Sequence, residues 1–426
     1  NIPDLADTRL MSNLLIDLGI EINWQKGNLN FNGKPKKDEA SYELVRQMRA
    51  SILVLGPLLA SKGSAKVPLP GGCAIGSRPI DLHIMVMEAL GANVTFDSGF
   101  IISSLSNEGL KGGVINFPKV SVGATESAIM TAVLAKEQTK ILNAAKEPEV
   151  TDLANCLNAA GADIKGIGTN NLIINGVKEL HKVSHSVVSD RIEAGSFAIA
   201  SSITMGNVEI NNINPKNLTE FINVLKLTGS KVEIFDNSMK VSSSQRPTTY
   251  NIDTNHYPGF PTDLQAQYMA LMAIANGKTL IRETIFENRF MHVPELMRMG
   301  AKIFTNHQEA EIHGVKNLKG AKVMASDLRA SMCLILAALA ASGTSEIDGL
   351  YHLDRGYENF EEKFKSKCVV SKRNDMFVFY ESVKAAGHYD DAIKLEHYNH
   401  NWQRREAAER RREAAEEEKR KFELQR

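Results

Sequence analysis

The sequence predicts a mixed α and β protein built from six repeated units of about 70 residues. Two observations carry that expectation. A helical segment ends in glycine and passes into a short strand at Leu18-Gly19-Ile20-Glu21-Ile22, Leu90-Gly91-Ala92-Asn93-Val94, Ala160-Gly161-Ala162-Asp163-Ile164, Thr228-Gly229-Ser230-Lys231-Val232 and Met299-Gly300-Ala301-Lys302-Ile303. The five glycines are spaced 72, 70, 68 and 71 residues apart. Upstream of each later glycine lies a second helix, at a regular offset: Ser121 precedes Gly161 by 40 residues and Asp190 precedes Gly229 by 39.

Each element has a local reason. Glycine just past a helix end takes the left-handed conformation that stops it, and the β-branched residue soon after opens a strand. A sixth, degenerate copy falls at Phe364-Lys365-Ser366-Lys367-Cys368-Val369-Val370, with Lys367 in the glycine's place. The period is too long for an ordinary solenoid, so the units are expected to combine into a larger architecture. The upstream helices, at 50–60, 124–134, 194–205, 264–275 and 328–341, are apolar on most faces and are expected inside a domain. Counted back from Gly19, the same offset puts the first unit's inner helix before Asn1, so a preceding segment is expected; the chain also opens with asparagine rather than methionine. Residues 374–380 read as one strand, and 404–426 as a solvated helix with nine basic and seven acidic residues.

The totals exclude several classes. Fifty basic residues balance fifty acidic ones, which argues against a nucleic-acid or anionic-membrane binder as a whole. Any anionic ligand must be held by a local basic cluster. Cys73, Cys156, Cys333 and Cys368 lie far apart without Cys-x-x-Cys spacing, the pattern of reduced thiols in a cytoplasmic protein rather than of a zinc site. The longest apolar stretch, 332–341, is too short to span a bilayer, and no signal peptide is visible.

One stretch stands apart: Val67-Pro68-Leu69-Pro70-Gly71-Gly72-Cys73-Ala74-Ile75-Gly76-Ser77-Arg78-Pro79-Ile80-Asp81-Leu82-His83. So many helix breakers place Cys73 on a loop. Glycine N–H groups and Arg78 nearby can lower the pKa of its thiol; a cysteine packed as a small hydrophobe is the other reading, and the residues alone leave both open.

This stretch resembles the active loop of the UDP-N-acetylglucosamine enolpyruvyltransferases. So, in order, do Met48-Arg49-Ala50-Ser51, Lys119-Val120-Ser121-Val122-Gly123-Ala124, Ser189-Asp190-Arg191-Ile192-Glu193, Phe260-Pro261-Thr262-Asp263, Glu287-Asn288-Arg289-Phe290-Met291-His292, Ser326-Asp327-Leu328-Arg329-Ala330-Ser331 and Asp354-Arg355-Gly356-Tyr357-Glu358. The likeness runs from residue 1 to about 370 and stops near Lys372. It implies two similar domains of three units each, an inside-out α/β barrel (α-β prism) with helices inside and sheets outside. The domains would be 1–188 and 189–371, followed by a tail at 372–426 that carries the charged helix.

The resemblance also implies a reaction: transfer of the enolpyruvyl group of phosphoenolpyruvate to the 3′-hydroxyl of UDP-N-acetylglucosamine, releasing phosphate, at the first committed step of peptidoglycan synthesis. No cofactor or metal is implied, and the partners are the two substrates, with no nucleic acid or membrane. Cys73 matches the family cysteine that protonates the vinyl carbon and confers sensitivity to fosfomycin. Asp263, which by position alone reads as a helix N-cap, matches the proposed general base, and Asp327 a second acid near the reacting atoms. Arg49, Arg78, Arg329 and Arg355 match the arginines around the phosphate and carboxylate, where a planar guanidinium makes bidentate contacts. Ser121, Val122, Gly123, Asp263 and Ile285 match the nucleotide side, with Arg78, Lys119 and Arg289 adding charge. Backbone N–H groups at the helix start suit a diphosphate. His83 reads first as a core histidine and second as a substrate contact.

One departure weakens the expectation of activity. The family's Gly-Ala-Lys-Asn motif, whose lysine and asparagine contact the two substrates, has no counterpart here; Lys216-Asn217 and Lys316-Asn317 sit in other contexts. Two alternatives therefore stand beside the leading reading: a non-catalytic binder of UDP-sugars, and the 3-phosphoshikimate 1-carboxyvinyltransferase, which shares the fold but not the Pro-Gly-Gly-Cys loop.

Overall fold

The structure, a computed structural model, describes residues 1–25, 27–71, 80–360, 363, 370–373 and 376–379. The chain divides into two compact units, Asn1–Glu381 and Ser382–Arg426, and the second, with the expected helix at 404–426, lies outside the described residues.

The local motif recurs as the sequence implies. Gly19, Gly91, Gly161, Gly229 and Gly300 all have positive φ, between 88° and 99°. Each is followed by an antiparallel hairpin: Glu21–Gln25 with Asn28–Asn32, Ala92–Asp97 with Phe100–Leu105, Asp163–Lys165 with Asn171–Asn175, Lys231–Ile234 with Ser238–Ser242, and Lys302–Asn306 with Glu309–His313. In the last four, the second hairpin strand also pairs with the strand that leaves an inner helix. An example is Phe100–Leu105 against Ser64–Pro68, with Ile101 opposite Val67. The resulting sheets bury one face. Along Glu309–His313, for instance, Ala310 and Ile312 are buried, as period-two alternation requires. The expected degenerate copy lies mostly outside the described residues, but Val370–Arg373 and Met376–Phe379 form a hairpin that continues the sheet of Ser345–Asp348. The strand Met376–Phe379 falls within the expected 374–380.

The inner helices are Leu55–Lys62, Val122–Ala132, Arg191–Ile203, Gln265–Ala273 and Leu328–Ala340. All nine residues of Gln265–Ala273 are buried. The last three helices pack on one another, and each also touches strands of its own sheet. The first begins later than expected. Pro57 lacks the N–H that would continue an α-helical ladder backwards, and Arg49–Val54 is wound as a 3-10 turn instead. Two apolar cores result, one drawn from residues between Leu14 and Ile174 and one from residues between Ile192 and Phe360.

Buried polar groups fix how the helices sit. Ser201 Oγ donates to Val241 O at 2.8 Å, tying Arg191–Ile203 to its sheet. Arg246 closes the C-terminal end of Gln265–Ala273, donating to Ala275 O at 3.0 Å and to Val315 O at 2.6 Å. The start of that helix therefore stands on a pinned cylinder.

Gly229 offers a direct test of the repeat. Its φ is +98° and no heavy atom lies within 4 Å of an added Cβ, so Gly229→Ala isolates backbone strain. The substitution is expected to lower unfolding stability by about 1 kcal/mol in urea titration. An unchanged midpoint would contradict a left-handed stop at this position.

Candidate active site

The sharpest cluster of charge forms where three chain segments meet. Asp263 lies in the 3-10 turn Thr262–Leu264, immediately before the helix Gln265–Ala273. Its carboxylate does not cap that helix, which corrects the N-cap reading. Instead Asp263 accepts from Arg289 Nη2 at 2.6 Å and from Arg329 Nη2 at 2.9 Å. Both arginines are largely buried, Arg289 to 6% exposure, while the Asp263 side chain is partly exposed. Burial pushes the Asp263 carboxyl up, but Arg329 and Arg289 more than offset it and hold it well below the usual carboxylate range. Burial likewise opposes the charge on Arg329, and Asp263 overrides it.

Asp327 does open a helix. Its Oδ1 accepts from the backbone N–H groups of Arg329 at 2.9 Å and Ala330 at 3.1 Å, at the start of Leu328–Ala340. Ser326 Oγ donates to the other oxygen at 2.9 Å. The same cap thus sets the position of Arg329, two residues on. A shallow cleft lined by Ala266, Asn288, Arg289, Met291, His292, Asp327 and Arg329 opens beside the cluster. His292 is buried, and burial lowers its pKa to about 4 against the opposing pull of Asp327, so it is neutral near pH 7.

A second group of the expected residues gathers elsewhere. Ser121 caps Val122–Ala132, accepting from Ala124 N–H at 3.3 Å, so Val122 and Gly123 form the first turn. His83 packs against that turn: its Nδ1 lies 2.8 Å from Ser127 Oγ, and a Cβ on Gly123 would be 3.5 Å from its ring. Burial first, and then the charge of Arg49, lower the pKa of His83 to about 4. Lys119 is exposed just ahead of the helix. Arg355 is engaged by Asp7, through Nε at 2.8 Å and Nη2 at 3.1 Å. Ile285 donates its N–H to Glu283 Oε1 at 3.0 Å. Cys73 and Arg78 lie outside the described residues. The loop's entry is described: Gly71 lies so close to Arg46 that a Cβ would sit 1.5 Å from the Arg46 carbonyl oxygen, so only glycine fits.

Sequence reasoning missed the polar groups behind the cleft. Gln267 Nε2 donates to Asp263 O at 3.0 Å and to Ser196 Oγ at 3.2 Å, and Ser196 Oγ lies 2.8 Å from Tyr357 Oη. The segment carrying Arg355 is thereby linked to the turn carrying Asp263. Burial raises the thiol pKa of Cys156 and, much further, of Cys333, so neither is an activated nucleophile. Among the described residues, no group of three or more His, Cys, Asp or Glu comes together as a metal site, and no helix is long and apolar enough to cross a membrane.

Helices packed against hairpin-bearing sheets, with Asp263 held between two buried arginines, make a mixed α and β protein with a compact cluster of charge. The chain belongs to the EPSP synthase (3-phosphoshikimate 1-carboxyvinyltransferase) family, which matches over residues 1–364. A UDP-N-acetylglucosamine 1-carboxyvinyltransferase of Zymomonas mobilis is 48% identical over 374 residues, covering 86% of this chain and 88% of that one. One of Desulforapulum autotrophicum is 50% identical over 375 residues, covering 88% and 89%. Among solved structures, the enolpyruvyl transferase NikO of Streptomyces tendae superposes with a TM-score of 0.77 at 21% identity, covering 89% of each chain. An EPSP synthase of Acinetobacter baumannii gives 0.64 at 18%, covering 87% of this chain and 88% of that one.

The cap on Leu328–Ala340 can be separated from any chemistry of its carboxylate. Asp327→Ala is expected to lower unfolding stability by about 1 kcal/mol, whereas Asp327→Asn, an equally good cap, stays within a few tenths. Equal losses in denaturant titration would contradict the capping role.

Proposed function

We propose that the chain transfers the enolpyruvyl group of phosphoenolpyruvate to the 3′-hydroxyl of UDP-N-acetylglucosamine and releases phosphate, a cytoplasmic step of peptidoglycan synthesis. The reading is carried by close agreement, over most of the chain, with relatives called UDP-N-acetylglucosamine 1-carboxyvinyltransferase. The chain's likeness to solved EPSP synthases is far weaker in sequence, which disfavours shikimate 3-phosphate as acceptor.

Mechanistically, the sugar oxygen bonds to C2 of phosphoenolpyruvate as a proton reaches C3. Loss of a C3 proton and departure of phosphate then restore the double bond. Cys73 is assigned the C3 proton, and Asp263 the proton of the 3′-hydroxyl. Asp327 is placed beside the reacting atoms. Arg49, Arg78, Arg329 and Arg355 are assigned to the phosphate and carboxylate. Ser121, Val122, Gly123 and Ile285 are assigned to the sugar nucleotide, with Lys119 and Arg289 adding charge. With Arg289 and Arg329 paired to it, Asp263 is a weak base. A bound phosphoenolpyruvate that draws Arg329 away raises its basicity when the acceptor is in place.

The two apolar cores and the contacts of inner helices with their sheets support a two-domain α-β prism of six units, divided into 1–188 and 189–371.

Phosphate release from phosphoenolpyruvate, dependent on UDP-N-acetylglucosamine and abolished by fosfomycin, is the expected result. Cys73→Asp should retain part of the turnover and lose the fosfomycin sensitivity. Sugar-nucleotide binding by calorimetry without phosphate release would mark a binding protein and overturn the reading.

A further inference from the structure

Glu283 is a carboxylate at 1% exposure, just past the strand Lys278–Arg282, and it lies outside every motif that carries the family resemblance. A buried carboxylate is tolerated only where donors replace its water. Here four donors converge on it. Oε1 accepts from Thr254 Oγ1 at 3.0 Å, Ile285 N–H at 3.0 Å and Phe286 N–H at 3.2 Å. Oε2 accepts from Thr262 Oγ1 at 2.9 Å. Thr262 is the residue before Asp263, and its Oγ1 in turn accepts from Arg289 Nη1 at 3.3 Å. Thr254 Oγ1 accepts from Thr284 N–H at 2.9 Å, and Thr284 Oγ1 donates to Thr254 O, closing the bracket between the two strand ends.

We propose that Glu283 is a positioning residue for the reaction. One oxygen holds the loop of Ile285, the other holds the turn of Asp263, and so the base and the Arg289 loop keep a single register. The inference rests on the functional reading above for its kinetic consequence, and on the bond network for its geometry. Because each oxygen serves a different segment, the two arms separate by mutation. Thr262→Val deletes only the arm to the Asp263 turn, together with the acceptor that steadies Arg289. Thr262→Ser keeps both.

The test compares wild type, Thr262→Val, Thr262→Ser and Glu283→Gln in steady-state phosphate release. Thr262→Val and Glu283→Gln are expected to lose about tenfold or more in kcat, the scale of a sub-ångström misplacement, with KM for phosphoenolpyruvate moving less than about threefold. Thr262→Ser is expected to stay within about threefold of wild type. A Thr262→Val enzyme with wild-type kcat overturns the proposal, as does a Thr262→Ser enzyme as impaired as Thr262→Val. If wild type itself releases no phosphate, the functional reading fails and the geometry is judged separately by crystal structures of wild type and Thr262→Val. Separation of Arg289 from Asp263 in the variant then supports the positioning role, and a retained contact overturns it.

Discussion

Asp263 between Arg289 and Arg329 is the interaction on which the rest of the site depends. Two guanidinium groups taken out of water need a counter-charge close at hand. The carboxylate supplies it from a turn in which no helix bond is asked of its side chain. Arg355 is neutralised in a parallel way by Asp7, 348 residues away in sequence. The protein described here thus carries its own carboxylates where the functional reading puts a substrate's anionic groups. On that reading phosphoenolpyruvate competes with internal partners for Arg329 and Arg355, and Arg329 is also one of the two arginines that hold the proposed base in check.

The scaffold makes this arrangement rigid. Asp327 caps the helix that presents Arg329, Arg246 closes the far end of the helix behind Asp263, and Gln267 ties the Asp263 carbonyl to Ser196 and onward to Tyr357. Each inner helix touches its own sheet, and five of the hairpins follow a glycine in the left-handed region. The recurring units also bring helix starts capped by short polar side chains, Ser121 and Asp327 among them.

Much of this was legible in the chain. The five glycines announce a helix stop and the strand after it because a left-handed stop has few alternatives to glycine, and all five take it. Ser121 and Asp327 were readable as helix starts because capping is local. Asp263 misled for the same reason: its place before a helix suggested a cap, but partners 26 and 66 residues away claimed its carboxylate. Glu283, Ser196 and Asp7 gave no signal at all, and Tyr357 stood out only as part of the 354–358 stretch, with no role attached to it. A charged residue at a strand end reads as surface, and a hydroxyl pair such as Ser196 and Tyr357, 161 residues apart, is set by packing alone.

Calorimetric titration of phosphoenolpyruvate into wild type and Asp263→Asn tests the competition most directly. Freed of one charged partner, the arginines should bind the anion about tenfold more tightly in Asp263→Asn, the worth of a charge-assisted hydrogen bond. Equal or weaker binding by a folded variant would mean that Asp263 does not compete with the substrate for its arginines.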